Sequence, residues 1–203
     1  MTRIYLIRHG ETEWNSTGRW QGTSDVLLSP AGIRQAQLLA EHAPFTDVDA
    51  IYSSDLSRAI KTAEILADRF SLPVIEERGF RETNFGDWEG GTLSELLAAF
   101  PDDFGKFFVE PDQVKPPNGE IFSECQARAM TALEQIVAVN ADKKIVIVSH
   151  GLVIRLILCA VLSMPIRKVW AISQSNTAVN IIRVDDGNAT VELVNGTSHL
   201  QNF

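Results

Sequence analysis

Apolar positions along the chain fall into two alternating kinds of stretch. Short runs of branched residues, "RIYLIR", "AIYSS", "PVIEE" and "KIVIVS", predict buried strands. Between them lie longer stretches with helical spacing. "SPAGIRQAQLLAEHA" predicts a helix with Ser29 as N-cap, Pro30 in the first helical position, and Ile33, Ala36, Gln37 and Ala40 along a partly apolar face. "SSDLSRAIKTAEILADRF" predicts a second helix, capped at Ser54 or Asp55, with Leu56, Ala59, Ala63, Leu66 and Phe70 on one side. "TLSELLAAF" reads as a short helix stopped by Pro101, and "EIFSECQARAMTALEQIVAV" as a long one. The run "GLVIRLILCAVLSM" is apolar but is interrupted by Arg155 and too short to span a bilayer, so it reads as a core helix. Two alternating runs around "DDGN" predict a closing β-hairpin. Residues 9–28 and 79–91 show no period and read as loops, and 101–118 are mixed, ending in the rigid "KPPNG". Strands alternating with helices imply an α/β fold: a three-layer sandwich, a mostly parallel central sheet with helices on both faces, in a single domain over residues 1–203.

Composition narrows the partners. The 203 residues are 45% hydrophobic, enough for one sizeable core. A formal net charge of −8 argues against nucleic acid or an anionic membrane, whose fields would repel the chain. An anionic small-molecule substrate would need a local cluster of Arg and His. Cys125 and Cys159 form no CxxC and no disulfide frame, which predicts two buried thiols in a reducing compartment. Met1 leads directly into a strand with no signal-peptide pattern, so a cytoplasmic location is expected. The C-terminal hairpin edge or the 151–162 helix offers a surface for a homodimer, but no feature decides the oligomeric state.

The chemistry is expected beyond the carboxyl ends of the strands, where ligands collect in open α/β sheets. Two strands end there in His-Gly: "LIRHG" and "VSHG". His9 and His150 fall at that edge, with Arg8 beside His9, Arg58 in the first turns of the helix after strand two, and Glu82 in the loop after the third strand. Glu76, Glu77 and Glu89 are nearby alternatives to Glu82. Forked guanidinium donors suit a phosphate. A neutral imidazole can attack phosphorus, and a second, protonated one can stabilise the transferring charge. A carboxyl with a raised pKa could protonate the leaving alkoxide. Glycine after each histidine, Gly10 and Gly151, would let backbone approach the ligand. Each imidazole taken alone reads equally as a core histidine. Arg128, Arg155, His42 and His199 read as surface or structural residues, and Ser149 lacks the surroundings of a serine nucleophile.

Four blocks, "LIRHGETEWN", "SSDLSRAIKTAEI", "RETNFGDWEG" and "VSHGLVIR", together resemble the histidine phosphatase superfamily in its phosphoglycerate-mutase-like branch, in order and over nearly the whole chain. The resemblance implies that fold and a metal-independent mechanism without a cofactor. It makes His9 the phosphorylated nucleophile, Arg8, Arg58 and His150 the phosphate pocket, and Glu82 the proton donor. Asn15, Gln21 and Gly22 match positions that touch phosphate or substrate, and Gly151 joins them as a substrate contact.

The resemblance covers phosphatases and cofactor-dependent mutases alike. Residues 101–118 carry Asp102, Asp103, Glu110 and Asp112 against Lys106 and Lys115 and hold no arginine pair, a poor clamp for a multiply charged acid. The expected function is therefore hydrolysis of a small phosphorylated metabolite, with phosphoglycerate mutase activity as the alternative and a non-catalytic phosphate-ligand module as the third reading. Trp14, Trp20, Phe85, Trp88, Phe107 and Phe108 are candidates for an aromatic rim where a ring-bearing ester such as alpha-ribazole 5′-phosphate could stack; the other reading is that most of them pack loops. Ile121 and Leu152 stand where relatives carry serine and glycine, which would make the pocket's surroundings more apolar.

Overall fold

In the computed structural model, which describes residues 1–201, the two His-Gly strands lie side by side. Strands β1 (Thr2–Arg8) and β4 (Lys144–Ser149) pair in parallel with Arg8 opposite Ser149, so the next residues, His9 and His150, emerge as neighbours. The His9 N–H donates to Ser149 O at 2.9 Å, carrying the pairing one step past the strand.

Six strands form one sheet in the order β3-β2-β4-β1-β5-β6. β2 (Ala50–Ser53), β3 (Val74–Glu76), β4 and β1 are parallel. The hairpin β5 (Val179–Asp185) and β6 (Asn188–Gly196) adds an antiparallel edge through β1. Asp186 and Gly187 both have positive φ, the backbone of a two-residue turn matched to strand twist.

Strand alternation splits the core into two clusters. Ile4, Leu6, Ile145 and Ile147 face one side, packed under α6 (Phe122–Val139) and α7 (Gly151–Val161). Tyr5, Ile7, Val146 and Val148 face the other, under α2 (Pro30–His42) and α3 (Ser57–Phe70). This is the sandwich expected from the pattern. α7 buries eight residues, Gly151 and Cys159 among them, as a core helix should. Ser29 caps α2, its Oγ accepting from Gly32 N at 3.0 Å. No helix among the described residues is long and apolar enough to cross a membrane.

Several elements differ from expectation. α3 begins at Ser57 after Leu56, without a side-chain cap. Ser54 Oγ is instead engaged by His150, and Asp55 by Arg78 and Arg81. The 9–28 loop contains a one-turn helix, α1 (Glu13–Ser16), closed by a reciprocal cap between Thr12 and Asn15. After α4 (Leu93–Ala99) the mixed segment opens with a short helix, α5 (Pro101–Lys106). His199, expected at the surface, is buried: its ring donates to Thr177 Oγ1 at 2.9 Å, because Thr177 already donates to Asn176 O. His42 is exposed as expected.

Candidate active site

The carboxyl ends of β1, β2 and β4 and the loops at 14–22 and 82–85 enclose a pocket of about 230 Å³. Arg8, His9, Asn15, Gln21, Gly22, Arg58, Glu82 and Gly151, all singled out by the sequence, line it. His150 sits directly behind, fully buried, with its ring centroid 5.1 Å from that of His9.

The state of His9 follows from its partner. Nδ1 lies 2.6 Å from Gly10 O, and a carbonyl can only accept, so Nδ1 carries the proton. Nε2 is left with its lone pair. Burial first, then the charges of Arg58 and Arg8, push the imidazolium well below the usual histidine range, so the ring is a neutral nucleophile. Gly10 turns out to serve packing more than ligand approach: a Cβ there would lie 2.5 Å from Gly32 O at the start of α2.

His150 is held from both sides. Arg58 Nε donates to its Nδ1 at 3.3 Å, so Nε2 bears the hydrogen and donates to Ser54 Oγ at 2.8 Å. Burial, then Arg58 and His9, keep it neutral. Without a phosphate beside it the second imidazole is therefore neutral, because burial and then the adjacent guanidiniums oppose an extra proton.

Arg58 occupies the second position of α3 and is fully buried. Its Nη groups donate to Ser24 O and Gly22 O, both at 2.7 Å, and desolvation lowers it to about 10. Arg8 donates through Nη1 to Gln174 O at 2.7 Å, while its buried Nε has no protein partner. Burial, reinforced by Arg155, lowers it too to about 10. The Gln21 Oε1 atom is likewise buried without a partner. Buried polar groups left open at a pocket wall are where a ligand finds its contacts.

Glu82 caps α7. Its Oε2 accepts from Leu152 N at 3.2 Å, and its Oε1 from Val153 N at 3.3 Å and Thr83 N at 2.9 Å. The helix N-terminus therefore holds the carboxylate at the pocket wall. Arg128, which the sequence suggested was surface or structural, holds the loop carrying it, donating to Gly79 O, Arg81 O and Glu82 O and pairing with Glu120 at 2.6 Å. Of the alternative carboxylates, Glu89 is spent on the loop at 23–24, accepting from Thr23 and Ser24. Ser149 Oγ donates to Phe80 O at 2.9 Å, which leaves it no nucleophilic role.

The aromatic rim is smaller than expected. Trp88 and Phe107 are fully buried core residues, and Phe108 is exposed, packing against Trp20 and Trp170 without lining the pocket. Trp14, Trp20, Phe85 and Trp170 are the rings that line the pocket. Leu152 lines it as well, whereas Ile121 stands at the start of α6 and does not. Sequence reasoning missed Trp170 and Arg19, and left Arg155 as a surface or structural residue when it lines the pocket. Arg155 follows Gly151, the first residue of α7, by four positions, so the two share a helix face, a signal that was available.

A neutral imidazole facing guanidinium groups, with a carboxylate across the pocket, defines an enzyme of the phosphatase class. The chain belongs to the histidine phosphatase superfamily (branch 1), whose family model matches residues 4–197. Phosphoserine phosphatase 1 of Hydrogenobacter thermophilus is 34% identical over 203 residues, covering 100% of this chain and 96% of that protein. The solved structure of Bacillus stearothermophilus YhfR superimposes with a TM-score of 0.95 at 35% identity, over 99% of this chain and 100% of that one. The alpha-ribazole phosphatase from Shigella flexneri does so at 0.87 and 28% identity, over 96% of each chain.

Proposed function

We propose that the protein hydrolyses small phosphomonoesters through a phosphohistidine on His9, without metal or cofactor. One observation carries the reading. The proton on Nδ1, fixed by Gly10 O, leaves the Nε2 lone pair free on a ring that lines the pocket together with Arg8 and Arg58, neither of which forms an ion pair among the described residues. In the first step Nε2 attacks phosphorus and the ester oxygen departs with a proton from Glu82, which enters this step as the neutral carboxyl and leaves it as the carboxylate. In the second, Glu82 takes a proton from water as it attacks the phosphohistidine, and phosphate leaves with His9 restored. Arg8, Arg58 and His150 surround the transferring group, with Asn15, Gln21, Gly22 and Gly151 as its further contacts.

Hydrolysis is favoured over mutase activity because the acidic 101–118 segment contributes nothing to the pocket lining. A volume of about 230 Å³ lies below the usual range for drug-sized ligands and favours compact metabolites over alpha-ribazole 5′-phosphate. Two free, buried thiols fit a reducing cytoplasm.

The test is phosphate release in EDTA from a panel holding phosphoserine, 3-phosphoglycerate, alpha-ribazole 5′-phosphate, sugar phosphates and nucleotides. Release that persists in EDTA and disappears with His9→Ala is the expected result. Release that needs added metal, or survives His9→Ala, would overturn the mechanism, and isomerisation of phosphoglycerate without net release would favour the mutase.

A further inference from the structure

Arg155 is not accounted for by the phosphate chemistry. It lies on α7, half-buried in the pocket wall, and its Nε donates to Ile172 O at 2.6 Å. Its guanidinium carbon lies 5.7 Å from the centre of the Trp170 ring. That ring is itself fixed, with Nε1 donating to Phe107 O at 3.2 Å. The guanidinium is thus held at its inner edge and over one face. Its two terminal nitrogens make no hydrogen bond or ion pair among the described residues, although the charge of Glu82 reaches it through space. A half-buried cation ordinarily finds a direct ion-pair partner, and this one lines a cavity instead.

Arg155 acts on Arg8 and feels the charge of Glu82, which sets it on the wall of the pocket formed by the start of α7. Gly151 permits the approach: a Cβ there would stand 3.3 Å from Arg8 Nε and 3.6 Å from Arg155 Nη1.

We propose that Arg155 is the specificity residue of this pocket, its two free terminal nitrogens receiving a carboxylate that the substrate carries a few bonds from its phosphate. The substrate class is then the phosphate esters of small hydroxy acids and hydroxyl-bearing amino acids. A carboxylate matches two parallel N–H donors in one plane, and after a phosphate is seated the remaining space suits a group of that size. The proposal rests on the phosphomonoesterase reading and deepens it.

The experiment compares ester pairs that differ chiefly at the carboxylate: phosphoserine against phosphoethanolamine, and 3-phosphoglycerate against glycerol 3-phosphate. A charge-assisted paired contact predicts that the wild type favours the acid of each pair by about tenfold or more in kcat/KM. Arg155→Gln should bring that ratio to within about twofold of unity, the larger loss falling on the acid of each pair and appearing in KM. Arg155→Lys, which keeps the charge and loses the fork, should retain part of the preference. Equal losses on both members of a pair would overturn the proposal and assign Arg155 to the phosphate clamp or the loop scaffold. A wild-type ratio near one would also overturn it while leaving the hydrolase reading intact. Absence of release from all four esters and from p-nitrophenyl phosphate would remove the hydrolase reading itself, and this proposal with it.

Discussion

A single hydrogen bond, His9 Nδ1 to Gly10 O, decides which nitrogen of the nucleophile is free. The neighbouring charges decide when it is free. Burial and two guanidiniums place the folded pKa of His9 well below the ordinary 6.5, so its neutral form persists as pH falls through the range where an exposed histidine protonates. The acid limb of kcat/KM should therefore lie below pH 6.5, and a pH–rate profile in a constant-ionic-strength buffer checks it. Glu82 gives a second expectation. Glu82→Gln keeps an acceptor for α7 but removes the transferable proton, so kcat/KM, which reads the step up to loss of the ester oxygen, should fall by about 10²–10⁴ on alkyl esters. The loss in kcat/KM should be much smaller on p-nitrophenyl phosphate, whose leaving group needs no proton. Stopped-assay kinetics on the two ester types separate these outcomes.

At the scale of elements, the site depends on a loop that is itself tied down. Glu89 gathers Thr23 and Ser24, and the carbonyls of Gly22 and Ser24 then position Arg58. Gly22 has φ +54°, and a Cβ there would lie 2.0 Å from Glu89 Oε1. Gly22→Ala should cost about 1–3 kcal/mol of stability by displacing the Glu89 carboxylate, and should lower kcat/KM by about tenfold or more through Arg58. Denaturant melts and steady-state kinetics on the same samples read both. The C-terminal turn carries a pH effect of its own. Burial and His42 lower His199 to about 4 from an ordinary 6.5. The unfolded chain then binds a proton that the folded one refuses, so stability should drop as pH falls from about 6.5 toward 4. His199→Gln should flatten that slope in thermal melts. Neither loop nor turn was readable from periodicity, because their contacts join residues far apart in the chain. Glu89 reaches back to Thr23, and His199 to Thr177. The cap of α3 has the same origin: Ser54 is an apt cap residue locally, but its hydroxyl meets His150 and Leu56 N, and the first helical N–H, that of Ser57, donates to Asp25 from the distant 9–28 loop.

Across the whole molecule, the sheet is the positioning device. Parallel pairing of β1 with β4 brings residues 9 and 150 together, and β2 on the other side of β4 delivers Ser54 and Arg58 to the same edge. Both cysteines lie inside the packed layers, and burial pushes the Cys159 thiol up to about 11 and Cys125 higher still. Neither should react with a thiol reagent in the native state, and the labelling rate should track global unfolding across a denaturant series. The fold class, the core strands and helices and the five central residues were legible in the linear chain. Their signals are local: an apolar run, a helical period, a histidine where a strand stops. The rim was not. Trp88 and Phe107 sit in segments that look like loop and mixed chain, and only packing shows them to be core. Trp170 reaches the pocket from a separate segment beyond α7, and only the closed sandwich sets its ring beside Arg155. Residue type and spacing determined what chemistry the chain could perform, since those follow from each residue and its neighbours along the backbone. Protonation states, the charge left unpaired and the shape of the pocket were decided by tertiary structure, because burial and electrostatic pairing depend on what lies across space.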